Sequence, residues 1–418
     1  MRKISWEIVF VGILLLIVAI YVTSSNQDNS STDHYASAPK PPKPPQPPNT
    51  GVHIIDLKHL ENAEELQKLA ELKSLEGLRS LEKLARLMPN DVQEDFLQEI
   101  NSAIAEFDID SADLNIDVKD GVIVVNRKYD VKQGAWEAVS PGVYAYVKSF
   151  DASSLSKTTL SIPFGSITVV GTDDSEASLT VQASGQITSA NEISSIITTR
   201  TNIEDDTAIF TLETGKGERG NNFDLQAILT IPKHMEIYSV TKGGHITSTN
   251  ISGDQVYKTL GGHISMNDLN GDVKATTEGG HIEVRNSSGD FILESMGGHL
   301  KASGFDGELL MRTSGGNIEA LEVTGPLSAE TGGGNIELKL MDSFKEINAK
   351  TGAGTILIEL PSSTNAKLNL KATTVEIGKD LNFSGKKTKN SAVGTIGTGG
   401  TEINAKTNFG TIVIKKNG

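Results

Sequence analysis

Gly261-Gly262-His263-Ile264-Ser265-Met266-Asn267-Asp268-Leu269-Asn270-Gly271-Asp272-Val273-Lys274-Ala275-Thr276-Thr277-Glu278 is one turn of a repeat, and its reading decides the fold. The phrase Gly-Gly, then His or Asn, then Ile or Leu returns at a step of eighteen residues, starting at Gly243, Gly261, Gly279, Gly297, Gly315 and Gly333. A fixed period this short describes one structural unit stacked on itself, not a compact domain around one cleft. Function is therefore expected from a rod or a surface more than from a catalytic pocket.

Within each repeat the apolar residues alternate with polar ones in two short runs, which is strand periodicity. The fourth position is always Ile or Leu. The sixth reads Met266, Val284, Ala302, Ala320 and Leu338, with Ser248 as the exception. The thirteenth and fifteenth are apolar after one glutamine, Gln255. The seventeenth is small and hydroxylated: Thr259, Thr277, Ser295, Thr313 and Thr331. Two turns punctuate the runs, the Gly-Gly pair and phrases such as Asn270-Gly271-Asp272, where glycine permits positive φ or a sharp bend. Stacked in register, each strand pairs with its copies about 4.8 Å above and below. The expected fold is mainly β, a parallel β-solenoid of eighteen-residue coils over residues 155–418, stabilised by neighbour-to-neighbour burial. The phrase Ile347-Asn348-Ala349-Lys350-Thr351 reappears as Ile403-Asn404-Ala405-Lys406-Thr407, so the pattern extends past the regular copies.

The phrases Gly165-Ser166-Ile167-Thr168-Val169-Val170-Gly171-Thr172-Asp173 and Ile231-Pro232-Lys233, with the repeated Gly-Gly-His/Asn-Ile, carry a resemblance. They resemble the toast-rack family of bacterial envelope proteins with β-strand repeats, the adhesin group. The resemblance spans residues 155–418 and implies a β-solenoid on the outer side of a bacterial membrane. It brings no catalytic motif to carry over.

Composition narrows the function. The net charge is −15 and the repeats hold no cluster of Lys and Arg, which argues against a nucleic-acid surface. The chain has no cysteine, which excludes disulfides, thiolate catalysis and zinc–thiolate sites. Neither a Gly-x-Ser-x-Gly elbow in a strand-to-helix context nor a His-Glu-x-x-His motif is present. The expectation is a protein that is not an enzyme and needs no cofactor.

At the N-terminus, Met1-Arg2-Lys3 precedes an uncharged run from Ile8 to Val22. Counted from Ile4, the stretch is long enough to cross a bilayer. Basic residues lie before it and Asp28 and Asp33 after it, so the positive-inside rule places the rest of the chain outside the cytoplasm. Residues 1–25 are expected to form a signal-anchor transmembrane helix, with a cleaved signal peptide as the rival. Residues 26–52 include Pro39-Lys40-Pro41-Pro42-Lys43-Pro44-Pro45-Gln46-Pro47-Pro48, expected to be a semi-rigid polyproline II spacer, with a ligand for an aromatic groove as the alternative.

Residues 53–107 are expected to be helical. Leucines and alanines fall at every third position from Leu57 to Leu87, among strong helix formers, and Pro89 ends the run. A step of three drifts around a 3.6-residue helix, so the segment wants partners on most sides. A helical hairpin within the chain and a homo-oligomerising stalk both satisfy that. Residues 108–154 form a transition, in which Asp120-Gly121 marks a hairpin between Asn115–Val118 and Val122–Val125.

Two columns carry candidate chemistry. His245, His263, His281 and His299 should stack about 4.8 Å apart, a spacing that invites a transition metal or proton sensing. The next two copies carry Asn317 and Asn335 instead. His and Asn share a tolerance for positive φ, which explains all six residues as turn formers. Asp254, Asp272, Asp290 and Glu308 form a second file that invites calcium, or is ordinary turn chemistry after glycine. The expected role is a single-pass cell-membrane protein whose solenoid presents a surface for adhesion, wall contact or envelope-stress sensing. Its partners are then the membrane and a cell-wall or protein ligand. A polymer-forming solenoid resembling bactofilins and a carbohydrate-active enzyme are the alternatives.

Overall fold

The computed structural model describes residues 53–56, 114–119, 122–127, 131–215 and 223–417. The chain divides into two compact units, Met1–Asp130 and Val131–Gly418.

In the first unit, Val122–Arg127 is the middle strand of three, antiparallel to Leu114–Lys119 and to His53–Asp56. Lys119 stands opposite Val122, the pairing expected around Asp120-Gly121. The segment 53–107, expected to be helical, instead opens on a strand. Its first residues, His53-Ile54-Ile55-Asp56, include two consecutive β-branched residues, a type that loses less freedom in a strand than in a helix. The rest of that segment, the transmembrane helix expected at 1–25 and the spacer at 26–52 lie outside the described residues. Among the described residues no helix is long and apolar enough to cross a membrane.

The second unit is built from two β-sheets that share one apolar core. Across the regular repeats each strand pairs in parallel with its copy one period further on. Ile246 stands beside Ile264 and Ile264 beside Ile282, while Val273 stands beside Phe291 and Phe291 beside Leu309. The first series lies in one sheet and the second in the other. In the later repeats single strands such as Ile282–Ser295 and Leu300–Thr313 run through the turn and contribute to both sheets. Alternate side chains are buried, as the two-residue period requires: Ile282, Val284, Phe291 and Leu293 are all 1% exposed or less. Burying each such side chain contributes about 1.5–3 kcal/mol before the cost of ordering the chain.

Both ends of the stack depart from the repeat in the same way. The rung made by Lys157–Ile162 and Ser166–Thr172 lies directly beside Glu236–Thr241 and Ile246–Thr249. Between them the chain leaves the stack and builds Glu176–Gly185, Ile197–Glu204, Thr207–Thr214 and Phe223–Pro232, which cover the far side of that rung. At the other end Ile347–Thr351 pairs residue by residue with Ile403–Thr407, and the strands between them cover the last rung. The outermost pairings are antiparallel at three of the four sheet ends. The edge strand Phe383–Lys387 carries Lys386 and Lys387, charges that discourage pairing with another edge. The domain also begins earlier than residue 155: Val143–Asp151, in the expected transition, pairs along its length with Glu176–Gly185.

Candidate functional site

Both sequence-predicted files exist as continuous columns. The histidines stand on the turn after each Gly-Gly pair, with successive ring centroids 4.9, 4.7 and 4.8 Å apart and planes within 20° of parallel. Each Nδ1 accepts a backbone N–H from the next repeat. His263 donates to His245 at 2.9 Å, His281 to His263 at 2.8 Å, His299 to His281 at 2.7 Å, and Asn317 to His299 at 2.8 Å. The series continues through asparagine: Asn335 donates to Asn317 Oδ1 at 2.9 Å and Thr355 to Asn335 Oδ1 at 2.8 Å.

That pattern corrects the expected reason for His and Asn. None of the six residues has positive φ. What the two types share here is an acceptor atom on Cγ, aimed at the N–H of the rung above. The left-handed position lies elsewhere, eight along each repeat, at Asn250, Asp268, Asn286, Gly304 and Glu322, with φ of 57°, 51°, 47°, 61° and 55°. Its signal was present in the sequence, since four of the five residues are Asn, Asp or Gly.

The same geometry bears on metal binding. In a neutral imidazole whose Nδ1 accepts a hydrogen bond, the proton sits on Nε2 and no lone pair is left to point outward. Parallel rings at this spacing also present parallel directions, whereas a tetrahedral ion needs ligands converging to about 2.1 Å. Among the described residues no group of three or more His, Asp or Glu is arranged to hold an ion. The histidines His245, His263, His281 and His299 are thus better suited to a hydrogen-bonded spine than to a chelate. Desolvation, and then the like charges of His263 and His299, hold the His281 imidazole below its ordinary pKa.

The hydroxyl column ties the same corner from inside. Thr277 Oγ1 donates to the Gly262 carbonyl at 2.9 Å and accepts the Gly280 N–H at 3.1 Å, and it is 1% exposed. Ser295 and Thr313 repeat both bonds one and two rungs on.

The acidic file lies at the opposite corner, where the strands of the second sheet begin. Asp254, Asp272, Asp290 and Glu308 are all exposed. Beside them, pairing aligns Tyr238, Val256, Lys274, Ile292 and Leu310 on the outer face of that sheet. Together with Glu236 and Lys157, joined by an ion pair of 3.1 Å, these residues line a groove of 610 Å³. Its floor is largely apolar and one wall is acidic. The acids were legible in the sequence but the outward apolar column next to them was not, because a half-buried Val, Ile or Leu within a strand is unremarkable by itself.

The family model for Toastrack DUF4097 matches residues 157–415. The chain belongs to the toastrack family. The matched toastrack region takes in the first rung, all regular repeats and nearly all of the last strand, Thr411–Lys416. Among solved structures, the domain is similar to a "putative adhesin" from Bacteroides fragilis, at 17% identity and a TM-score of 0.35, covering 65% of this chain and 97% of that one. It is similar to a "putative cell adhesion protein" from Clostridium sporogenes, at 13% identity and a TM-score of 0.21, covering 65% and 99%. A "putative lipid binding protein" from Parabacteroides distasonis matches at 12% identity and a TM-score of 0.25, covering 66% and 97%. No curated protein matches.

Proposed function

We propose that the toastrack domain is a β-solenoid held outside the cytoplasm by an N-terminal membrane anchor, and that it acts without catalysis as a scaffold presenting repetitive surfaces for adhesion or wall contact. One observation carries this reading: in-register pairing at an eighteen-residue step sets like side chains in files along the outside of the stack. Such files suit a ligand that is itself long and periodic. The apolar run Ile8–Val22, preceded by Arg2 and Lys3, supports the anchor and the outward orientation.

Protease treatment of intact cells and of lysed cells tests it. The domain should be cleaved or shaved from intact cells once any outer barrier is opened, and should fractionate with membranes. Full protection until the inner membrane is lysed would refute the orientation and favour a polymer on the cytoplasmic side.

A further inference from the structure

We propose that the groove beside Asp254, Asp272, Asp290 and Glu308 binds an extended cationic polypeptide in the polyproline II conformation, with a basic side chain at every third position. The proposal deepens the scaffold reading by naming the partner of one surface.

The first ground is charge. Along this wall the acids recur on every rung, and Glu236 continues them on the rung before. Among the described residues Asp272, Asp290 and Glu308 form no ion pair; Lys274, the one cation within the regular part of the groove, is paired with Glu294 at 3.4 Å instead. The wall therefore offers carboxylates whose counter-charge is solvent.

The second ground is pitch. Polyproline II advances about 3.1 Å per residue and returns to the same face every third residue, after about 9.3 Å. Two rungs of a stacked sheet span about 9.6 Å. A basic residue at every third position therefore meets every second acid, Asp254 and Asp290 or Asp272 and Glu308, and stays in step over the length of the groove. A β-strand laid along the same axis repeats a face about every 6.7 Å and falls out of step after one rung.

The third ground is the floor. Tyr238 is 44% exposed and stands at the head of a column with Val256, Lys274, Ile292 and Leu310, apolar except at Lys274, whose ammonium is paired with Glu294. A polyproline II chain has two remaining faces per turn, and prolines there cover apolar floor without leaving unmatched N–H groups. Aromatic-lined grooves are the general receptor for such chains, because the ligand is stiff and loses little freedom on docking.

The test uses the purified full chain in detergent and a labelled peptide of Pro-Pro-Lys repeats, read by fluorescence anisotropy. Saturable binding is expected, with none for Pro-Pro-Glu repeats and weaker binding for a peptide of the same composition with its lysines clustered. Asp272→Asn with Asp290→Asn should weaken binding by about tenfold. Tyr238→Ala should weaken it too. Glu319→Gln with Glu337→Gln removes the same charge from the other sheet and should leave binding unchanged, and each variant's melting temperature is measured alongside. Absence of saturable binding, equal loss in both acid variants, no loss on removing Tyr238, or equal affinity for the clustered peptide would each overturn the proposal. The assay is indifferent to membrane orientation, so a cytoplasmic domain would sink the scaffold's placement and leave this result standing, and the reverse.

Discussion

The backbone N–H of His299 donates to Nδ1 of His281 at 2.7 Å, so a side chain on one rung satisfies the backbone of the next. Two sequence positions eighteen residues apart are thereby locked by one hydrogen bond outside the sheet ladders. The stability of the spine depends on that acceptor more than on the ring.

His281→Asn should therefore be nearly neutral at pH 7.5, since Asn317 fills the same role two repeats later. His281→Phe keeps a ring in the stack but orphans the His299 N–H. It should cost about 0.5–1.5 kcal/mol, measured from urea denaturation midpoints.

Acid should weaken the domain through the same group. The His281 imidazole is held below its ordinary value of 6.5 in the folded state, so the unfolded chain binds the proton first as pH falls. Its contribution is intact above pH 6.5 and is lost as pH drops through the folded-state value. Melting temperatures from pH 8 to 5 should fall less steeply for His281→Asn than for the natural chain. An unchanged slope would remove His281 as a contributor.

Gly262→Ala should be far worse than Gly261→Ala. A Cβ on Gly262 would overlap the carbonyl of Gly244 on the neighbouring rung, whereas one on Gly261 meets nothing within 4 Å. The first should cost at least about 1–3 kcal/mol by overpacking. The second should stay within about 0.5 kcal/mol. Thermal unfolding of the two variants compares them directly.

Ser248 and Gln255, the two residues that interrupt the apolar columns, share one partner. The Tyr257 hydroxyl lies 2.5 Å from Ser248 Oγ and donates to Gln255 Oε1 at 2.9 Å, and Tyr257 is fully buried. Burial pushes its phenol pKa up, so it stays a neutral donor. Tyr257→Phe alone should cost about 1–3 kcal/mol by stranding both partners. Combined with Ser248→Ala and Gln255→Leu the loss should shrink, because no buried polar group is then left unmet.

Glu322→Gly should stabilise. Glu322 sits at φ 55°, in the column where Gly304 and three Asn or Asp residues meet the same demand. Relieving a left-handed non-glycine residue should gain about 0.5–1 kcal/mol after the entropy of the added glycine. An unchanged denaturation midpoint would show that Glu322 is compensated locally.

Much of this was readable from the eighteen-residue step. Period two within each run, the Gly-Gly corner and the hydroxyl column all follow from local rules, and the pairing of Ile264 with Ile282 realises them. The histidine file was legible as a file; its purpose was not. Single-position statistics group His with Asn by backbone tolerance, and only the position of the N–H one rung away shows that an acceptor on Cγ is what matters. The apolar floor beside the acids was hidden for a similar reason, since alternation tells which side chains leave the core but not which of them gather on one outer face.

By itself the sequence determined the strand period, the rung height and the columns, because each depends on residues within one repeat of each other. Tertiary structure alone decided where the chain leaves the stack and returns. The match of Ile347–Thr351 to Ile403–Thr407 was visible as a repeated phrase, yet their side-by-side pairing depends on the intervening strands folding over the end of the stack. Closing an exposed sheet edge is a non-local requirement, and no residue pattern within a single repeat encodes it.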